Sequence, residues 1–195
     1  MPSLIHLAAE FATAAHAAIN QRRKYTGQPY IVHPEAVAKI VAGVTDDEEM
    51  ICAAWLHDVV EDTPITIGHI LKKFGSNIAG LVDDLTNVSQ KSDGPRDKRV
   101  AIDRAHSSKI SPRAKTIKLA DVIDNLSGII TVDRSFARRY VRENEPLVKV
   151  LREGNEQLFL QASHMVVECK KVLEPAAPAE TYRMKSGHNN WKTDR

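Results

Sequence analysis

The chain has 195 residues, of which 43% are hydrophobic and 27% charged, and its formal net charge is +2. This length fits one domain, with or without a tail, and suffices to bury a core without disulfides or structural metals. The small net charge argues against a strongly basic nucleic-acid binder. Aromatic residues, at 5%, are too few for platforms that stack on single strands. No run of 18 apolar residues occurs, so we expect no membrane span.

The two cysteines, Cys52 and Cys169, lie in apolar helical patterns, and neither belongs to a Cys-x-x-Cys pair. They therefore cannot build a thiolate zinc site, and we expect them to be reduced core residues. The first 20 residues contain Glu10 and two histidines and lack a basic start, so we expect no signal peptide. These features predict a cytoplasmic protein.

The predicted elements in the first half of the chain are all helices. In the first, apolar residues recur at spacings of three and four up to residue 20, and Ser3 can cap it. After a loop at 21–32, Pro34 suits the first turn of a helix that runs to Gly43. Further helices are predicted from a cap at Thr45 to about residue 62, at 66–75 and at 76–85.

The second half continues in the same way after a turn at 91–95. A basic helix is predicted at 96–109, and Ser111-Pro112 opens a helix to about residue 130. The last helical stretch, 135–173, is predicted to be interrupted by Pro146. No segment alternates with a period of two. The sequence thus predicts an all-α single domain at 1–173, followed by a flexible tail at 174–195.

Four residues with imidazole or carboxylate side chains are candidate metal ligands: His33, His57, Asp58 and Asp121. A mixed nitrogen and oxygen set suits Mn²⁺ or Fe²⁺, and Zn²⁺ is a further candidate. Asp58 and Asp121 each lie in an apolar stretch, where an ionised carboxylate needs a partner. A cation is one such partner, and a buried salt bridge to a lysine is the other.

Glu61 and Asp62 follow His57 and Asp58 by four residues each. If the helix continues that far, the two acids lie on the same face, one turn beyond the candidate ligands. There they can orient or deprotonate a water molecule beside a metal ion. The alternative is that Glu61 and Asp62 form a solvated helix end.

Charge is segregated along the chain. Residues 46–62 contain seven carboxylates and no lysine or arginine, whereas residues 96–118 contain eight basic residues and two acidic ones. A further basic cluster, Arg22-Arg23-Lys24, precedes His33. A metal site between acidic and basic elements suits a substrate with several phosphates. The alternative is that most of these charges form solvated faces.

Three strings carry a family resemblance: Arg23-Lys24 with Pro29-Tyr30-Ile31-Val32-His33-Pro34, Leu56-His57-Asp58-Val59-Val60-Glu61-Asp62-Thr63, and Lys118-Leu119-Ala120-Asp121 with Asn125-Leu126. Together, and in this order, they resemble the HD-domain hydrolases of the RelA/SpoT homologues. The resemblance covers about residues 4–160. The length of the chain leaves no room for a synthetase domain and is similar to that of small alarmone hydrolases.

The resemblance implies an all-helical HD fold, one Mn²⁺ ion and an enzymatic activity. The implied metal ligands are His33, His57, Asp58 and Asp121. The implied catalytic pair is Glu61 and Asp62, which activates the attacking water, while Arg23 stacks on the purine base, Lys24 is its basic neighbour and Asn125 contacts the nucleotide. The implied reaction removes pyrophosphate from the 3′ position of ppGpp or pppGpp and leaves GDP or GTP.

The third string departs from the pattern Ala-Asp-Arg-Leu-His-Asn of many relatives. Val122 stands in place of the arginine and Asp124 in place of the histidine. One residue is also inserted between the Arg23-Lys24 pair and Pro29. We expect these changes to affect the substrate side more than the metal side, so adenine alarmones such as ppApp are candidate substrates as well.

Three other functions stay open on the sequence alone. They are an HD phosphohydrolase acting on NADPH or another nucleotide phosphate, a non-catalytic nucleotide sensor, and a helical nucleic-acid-binding domain. The complete ligand and acid set argues against the sensor, and the modest net charge argues against the third. We expect the 5′ phosphates to contact basic residues within 96–118, least of all Lys118, which can instead pair with a carboxylate. The sequence predicts no oligomeric state.

Overall fold

The computed structural model describes residues 2–24, 26–129 and 134–173, so the predicted tail lies outside the described residues. The described parts form ten α-helices, a 3-10 turn at Lys91–Asp93 and no β-strand. The helices are α1 (Leu4–Ala18), α2 (Val32–Ala42), α3 (Glu48–Leu56), α4 (Val59–Asp62), α5 (Ile67–Phe74), α6 (Ser76–Leu85), α7 (Arg96–Ser107), α8 (Pro112–Ile129), α9 (Arg134–Val150) and α10 (Glu156–Leu173). The all-α prediction is confirmed.

Helix α3 lies in the middle of the core and packs against α1, α2, α6 and α8. Its sequence explains this position, because Met50, Ile51, Cys52, Ala53, Ala54 and Leu56 are all buried. A helix that is apolar on nearly every face is stable only when neighbours surround it. Helix α8 packs beside α3 and also contacts α2, α6, α9 and α10. The end of α3, the start of α2 and the middle of α8 therefore meet inside the domain.

The helix starts follow local capping chemistry, with one correction. Ser3 caps α1 as predicted, and its hydroxyl accepts a hydrogen bond from the His6 amide at 3.2 Å. Helix α3 is capped by Asp47 rather than by Thr45, because the Asp47 carboxylate accepts from the amide of Met50 at 3.2 Å. The Thr45 hydroxyl in turn accepts from the Asp47 amide at 3.1 Å. Thr45 thus supports the cap instead of forming it.

The predicted continuous helix up to residue 62 is broken at His57 and Asp58. Helix α3 ends at Leu56, and the single turn α4 begins at Val59. The break lies at Asp58, whose φ of −99° and ψ of −5° fall in the sparsely populated bridge region. Neighbouring residues of a regular helix point about 100° apart. The break lets the side chains of His57 and Asp58 approach the same point.

The second break occurs at residues 151–155, so the prediction that Pro146 interrupts the last helical stretch is wrong. Pro146 lies within α9. Gly154 lies so close to α8 that a Cβ atom added to it would be 2.9 Å from the Thr116 amide nitrogen. Asn155 then opens α10, because its side-chain oxygen accepts from the Leu158 amide at 3.1 Å. Close contact with α8, rather than proline, sets this corner.

The structure bears on two expectations from the sequence, one about membrane spans and one about the cysteines. Among the described helices, none combines the length and the apolar character that crossing a bilayer requires. Cys52 and Cys169 are both buried and unpaired, as the apolar patterns around them predict.

Candidate active site

The four candidate metal ligands converge from three parts of the fold. His33 lies in the first turn of α2, His57 and Asp58 occupy the break between α3 and α4, and Asp121 lies in the middle of α8. Both histidines are 2% exposed. One ligand atom from each of His33, His57 and Asp58 lies within 4.8 Å of the other two. The fold thus brings together residues that are 88 positions apart at most in the sequence, from 33 to 121.

Asp121 completes the cluster from the α8 side. Its Oδ1 lies 3.2 Å from His33 Nε2 and 4.0 Å from His57 Nε2. Asp58 Oδ2 lies 3.1 Å from His57 Nε2 and 3.6 Å from His33 Nε2. Two imidazole nitrogens and an oxygen of Asp58 therefore face one shared centre, and an Asp121 oxygen lies beside the two nitrogens. This mixed nitrogen and oxygen set suits Mn²⁺, Fe²⁺ or Zn²⁺.

The outer nitrogen of each histidine fixes the orientation of its ring. His57 Nδ1 donates to the Ala54 carbonyl oxygen at 2.8 Å, and His33 Nδ1 donates to Asp124 Oδ2 at 2.6 Å. With Nδ1 protonated in this way, each neutral ring presents the lone pair of Nε2 to the centre. His57 Nε2 is buried and has no hydrogen-bond partner among the described residues. A metal ion at the centre would satisfy it.

The electrostatics of the cluster also fit a cation. Although burial favours the neutral ring, the hydrogen bonds to Asp121 and Asp124 raise the pKa of His33 to about 9. Although burial opposes ionisation, the neighbouring His57 holds the pKa of Asp58 well below its usual range. The site therefore carries a strong negative potential, and a divalent ion can replace the protons that the histidines otherwise take up.

The carboxylate ligands are oriented by neutral and charged donors. The Tyr30 hydroxyl donates to Asp58 Oδ2 at 2.5 Å, and burial raises the pKa of Tyr30, so it remains a donor. Lys118 Nζ lies 3.1 Å from Asp121 Oδ2. Although burial opposes its charge, the negative charge of Asp121 raises the pKa of Lys118. Asp121 thus faces the histidines with one oxygen and pairs with a lysine through the other.

Asp62 lies at the end of α4, one backbone turn from Asp58, with its amide donating to the Asp58 carbonyl at 2.9 Å. Its carboxylate accepts from Gln21 Nε2 at 2.8 Å, and the side-chain oxygen of Gln21 accepts from His16 Nδ1 at 2.7 Å. Restricted hydration raises the pKa of Asp62, and the charge of Asp58 adds to this. A raised pKa brings a carboxyl group closer to the range where it can accept a proton near neutral pH.

Glu61 is oriented separately, by the loop that follows α6. Asn87 donates from its side-chain amide to Glu61 Oε1 at 2.9 Å. Restricted hydration also raises the pKa of Glu61. Glu61 and Asp62 both lie on the separate helical turn that follows the break, where the charge of Asp58 acts on each of them.

The predicted nucleotide-binding residues do not all lie together. Arg23 donates from one amino group to Asn125 Oδ1 at 3.1 Å and from the other to Asp124 Oδ2 at 3.1 Å. Lys24 lies further out, with Nζ 5.3 Å from the centre of the Phe136 ring on α9. The structure thus places Arg23 and Asn125 beside the metal cluster and Lys24 against α9.

A cavity of about 190 Å³ lies between α7, α8 and α9, and Asp121 forms part of its wall. Three basic residues, Arg96, Arg104 and Lys118, also line it. Arg96 pairs with Glu143 through two contacts of 2.9 and 2.8 Å. Arg104 makes no side-chain hydrogen bond or ion pair within the described part of the chain. The cavity therefore adjoins the candidate metal ligands, and its wall contains three basic residues and three acidic ones, Asp103, Asp121 and Glu143.

The other basic residues of 96–118 include two that face away from this cavity. Arg113 pairs with Asp47 at 2.7 Å and with Glu49 at 2.8 Å, and Lys115 pairs with Glu153. Part of the acidic segment is thus used to hold the start of α8 rather than to build a site. The charge segregation in the sequence overstates how much of it faces the candidate active site.

The two residues that depart from the family pattern, Val122 and Asp124, have different surroundings in the structure. Val122 and Ile123 are 1% and 4% exposed and belong to the core. Asp124 bonds directly to His33, one of the candidate metal ligands. Asp124 also accepts a hydrogen bond from Arg23, the predicted contact of the purine base, so it touches both sides of the site, and the expected effect on the substrate side stays a prediction.

Comparison with known proteins agrees with this geometry. A sequence model of the HD domain matches residues 8–147. The chain is 42% identical over 167 residues to the human guanosine-3′,5′-bis(diphosphate) 3′-pyrophosphohydrolase MESH1, which covers 81% of this chain and 90% of the human protein. The chain belongs to the HD-domain family and, within it, to the family of MESH1.

Two further relatives of this HD-domain chain differ in length. It is 34% identical over 144 residues to a probable guanosine-3′,5′-bis(diphosphate) 3′-pyrophosphohydrolase of Synechocystis, but spans only 18% of that protein. Among solved structures, a metazoan SpoT orthologue described as hydrolysing ppGpp and acting in starvation responses has a TM-score of 0.77 at 31% identity. That match covers 86% of this chain and 97% of the orthologue. The predicted family and HD fold are confirmed.

Sequence reasoning missed several side chains that shape the site. Gln21 and Asn87 hold the two acids, and Arg104 lines the cavity. Gln21 and Asn87 lie in loops without a local signal. Tyr30 stands inside the first quoted string, so its place next to His33 was an available clue.

Proposed function

We propose that this protein is a Mn²⁺-dependent hydrolase that removes the 3′-pyrophosphate from ppGpp or pppGpp, with ppApp and pppApp as further substrates. The observation that carries the proposal is the cluster of His33, His57, Asp58 and Asp121 beside a cavity whose wall includes Arg96, Arg104 and Lys118. The names of the relatives support the substrate class, because both the human and the Synechocystis relatives are named as 3′-pyrophosphohydrolases.

The four ligands would hold one divalent ion through two nitrogens and two oxygens. A bound ion of this kind supplies Lewis-acid stabilisation of phosphoryl charge and lowers the pKa of water next to it. His33 and His57 are held with Nε2 facing the centre by their Nδ1 hydrogen bonds. Tyr30 donates to the Asp58 oxygen that faces the centre, and Lys118 pairs with the outer oxygen of Asp121. Little rearrangement of these side chains is needed on binding.

The chain supplies the base for hydrolysis. Glu61 or Asp62 accepts a proton from the attacking water, as their raised pKa values favour. The water oxygen forms a bond to the phosphorus next to the 3′ oxygen, and the bond from that phosphorus to the 3′ oxygen breaks. The 3′ oxygen takes up a proton. The products are pyrophosphate and GDP from ppGpp, or pyrophosphate and ADP from ppApp.

The remaining charges of the substrate are assigned to the cavity. Arg104 and Lys118 would contact phosphate oxygens, and Arg96 would join them if it exchanged Glu143 for a phosphate. Guanidinium groups match phosphate geometry through paired hydrogen bonds. Arg23 would stack on the purine, Asn125 would contact the nucleotide, and Lys24 would add positive charge at the rim.

The cysteines bear on the compartment of the protein, and the acidic residues around the site bear on its partner. Cys52 and Cys169 are buried and unpaired, which supports a reducing, cytoplasmic environment. The acidic residues around the site support a nucleotide with a bound cation rather than nucleic acid as the partner.

The proposal is tested by incubating the full chain with Mn²⁺ and, separately, with ppGpp, ppApp and NADPH, followed by anion-exchange analysis of the products. We expect pyrophosphate with GDP or ADP from the alarmones. We expect no product with excess chelator, or from the His57→Ala and Asp58→Ala variants.

Each other outcome has a distinct meaning. Phosphate release from NADPH alone would retain the hydrolase and reject the alarmone substrate. Intact substrates in all three samples, with metal bound, would favour a nucleotide sensor. Full activity in both variants, in a preparation free of contaminating hydrolase, would reject the metal mechanism.

A further inference from the structure

A single carboxylate oxygen lies between the candidate metal centre and the nucleotide-binding arginine. Asp124 Oδ2 accepts from His33 Nδ1 at 2.6 Å and from an Arg23 amino group at 3.1 Å. The Asp124 side chain is 17% exposed and that of Arg23 is 24% exposed, so solvent weakens neither contact strongly. One side chain therefore links a candidate metal ligand to a candidate nucleotide contact.

A second route runs alongside the first. Arg23 donates to Asn125 Oδ1 at 3.1 Å, and Asn125 donates from its amide to Asp121 Oδ1 at 2.6 Å. Arg23 is thus separated from each of two candidate ligands, His33 and Asp121, by only one side chain. Asp124 and Asn125 are adjacent on α8, so a shift of one would move the other.

The two histidines differ in a way that isolates the role of Asp124. His57 Nδ1 donates to the neutral carbonyl of Ala54, within its own helix. His33 Nδ1 donates instead to a charged carboxylate. A carboxylate partner raises the basicity of a ligating imidazole, and loss of such partners typically costs 10- to 100-fold in metal affinity. His33 is therefore the ligand whose strength depends on a side chain that can be changed.

We propose that Asp124 is a positioning residue with two tasks: it strengthens His33 as a metal ligand, and it holds Arg23 in place for the nucleotide. This inference rests on the metal centre of the proposed function. Metal binding and nucleotide binding then share one carboxylate, and a change at Asp124 alters both. A residue needed only for folding would not link these two properties.

The test compares three variants of the full, metal-free chain by calorimetric titration with MnCl₂ and by KM for ppGpp at saturating Mn²⁺. Asp124→Asn retains an oxygen that can accept from His33 and from Arg23, but it loses the negative charge that strengthens both contacts. We expect Mn²⁺ binding to weaken by about 10- to 100-fold. At saturating Mn²⁺ we expect kcat to recover while KM stays raised.

Arg23→Gln and Asp83→Asn are the matched controls. Arg23→Gln removes the nucleotide contact but leaves Asp124 on His33, so it should raise KM and keep the Mn²⁺ dissociation constant within about twofold of the unchanged chain. Asp83 is exposed on α6 and makes no side-chain hydrogen bond in the described ranges, so Asp83→Asn should change neither quantity. If Asp124→Asn does not fold, Asp124→His takes its place, because one ring nitrogen can accept from His33 without a negative charge.

Two results would overturn the inference: unchanged Mn²⁺ affinity in Asp124→Asn, or an equal loss of affinity in Arg23→Gln. Absence of Mn²⁺ binding to the unchanged chain would reject the proposed metal centre and this inference with it. The titration needs no turnover. It therefore decides the metal task of Asp124 even if ppGpp is not the substrate.

Discussion

Helix α8 places two lysines three residues apart in opposite settings. Lys115, near the start of the helix, is 2% exposed and pairs with Glu153, whose side chain is 65% exposed. Lys118 is 14% exposed and pairs with Asp121, whose side chain is 12% exposed and faces the two histidines. One end of α8 uses a buried cation to join helices, and its middle uses another beside a candidate metal ion.

The difference shows that burial of a charge does not by itself mark a functional site. The partner of Lys115 reaches solvent, so its carboxylate keeps most of its hydration. The partner of Lys118 does not, and the negative charges of Asp121, Asp58 and Glu61 all act on that lysine. A buried pair with further carboxylates around it costs stability, because those negative charges repel one another. A functional role explains such a pair better than packing does.

The largest effect is expected on kcat/KM when each of the two lysines is replaced in turn. Lys118→Met should lower kcat/KM for ppGpp by about 100- to 1000-fold, the usual loss when one donor to developing charge is removed. Lys115→Met should keep kcat/KM within about twofold. Steady-state kinetics at saturating Mn²⁺ measure both, and equal losses in the two variants would contradict the division of α8.

Lys118→Met also carries a metal-dependent effect on stability. Without Mn²⁺, removal of the lysine leaves Asp121 Oδ2 without its ion-pair partner, and breaking a buried pair costs about 3 kcal/mol. With Mn²⁺ present, the ion supplies the missing charge, so Mn²⁺ should stabilise this variant more than the unchanged chain. Urea unfolding with chelator and with Mn²⁺ measures the difference, and equal stabilisation of both proteins would reject it.

The stability of the contact between Gly154 and the start of α8 should depend on the size of the side chain at position 154. A Cβ added at Gly154 would lie 2.9 Å from the Thr116 nitrogen and 3.0 Å from the Lys115 carbonyl carbon, and backbone atoms cannot rotate away. Gly154→Ala should therefore lower the free energy of unfolding by about 3 kcal/mol, without a change in kcat. The control is Gly80→Ala, since nothing lies within 4 Å of a Cβ there. It should stabilise α6 by about 0.5–1 kcal/mol.

The contrast between Gly154 and Asp58 also shows what the sequence can predict. Ser3 and the apolar periodicity around it act within a few residues, so helix starts and faces were predictable. The breaks at Asp58 and Gly154 were not, because the first serves a cluster drawn from three parts of the fold and the second serves contact with α8. Thr45 and Asp47 are both residue types that cap helices, so the sequence does not decide which of the two accepts the first amides of α3.

The candidate site divides in the same way. The positions of His57, Asp58 and Asp121 were predictable because a polar residue in an apolar stretch needs a partner. Gln21 and Asn87 were not, since their hydrogen bonds join residues 41 and 26 positions apart. Asp124 was noticed as a departure from the family pattern, but only its bonds to His33 and Arg23 show that it touches both sides of the site.

A smaller effect is expected when either partner of the Lys115–Glu153 pair at the start of α8 is replaced. Glu153→Ala leaves the Lys115 ammonium buried without a partner, so we expect the free energy of unfolding to fall. Lys115→Met replaces the buried charge by an apolar side chain of similar length, and the freed Glu153 stays hydrated. That variant should be neutral or slightly stabilised. Equal losses from the two ends would show that the pair itself, rather than the buried cation, matters.

The smallest effect concerns pH and the contact of Arg113 with the start of α3. Burial alone would raise the pKa of Asp47, but the hydrogen bonds from Arg113 lower it below its usual value. A lowered pKa in the folded state gives stability that is present above the unfolded pKa, about 3.9, and is lost as pH falls through the folded value. Arg113→Met should therefore cost about 0.5 kcal/mol at pH 7, as partly exposed pairs do, and almost nothing near pH 2.

Urea unfolding of the unchanged chain and Arg113→Met at both pH values measures this difference. Arg142→Met is the control, because Arg142 is exposed on α9 and makes no side-chain ion pair within the described ranges. A cost that stays constant down to pH 2 would mean that Arg113 acts through its aliphatic packing and not through Asp47. A cost that disappears would place the contact of Arg113 with Asp47 among ordinary surface ion pairs, in contrast to the buried pair of Lys118 and Asp121.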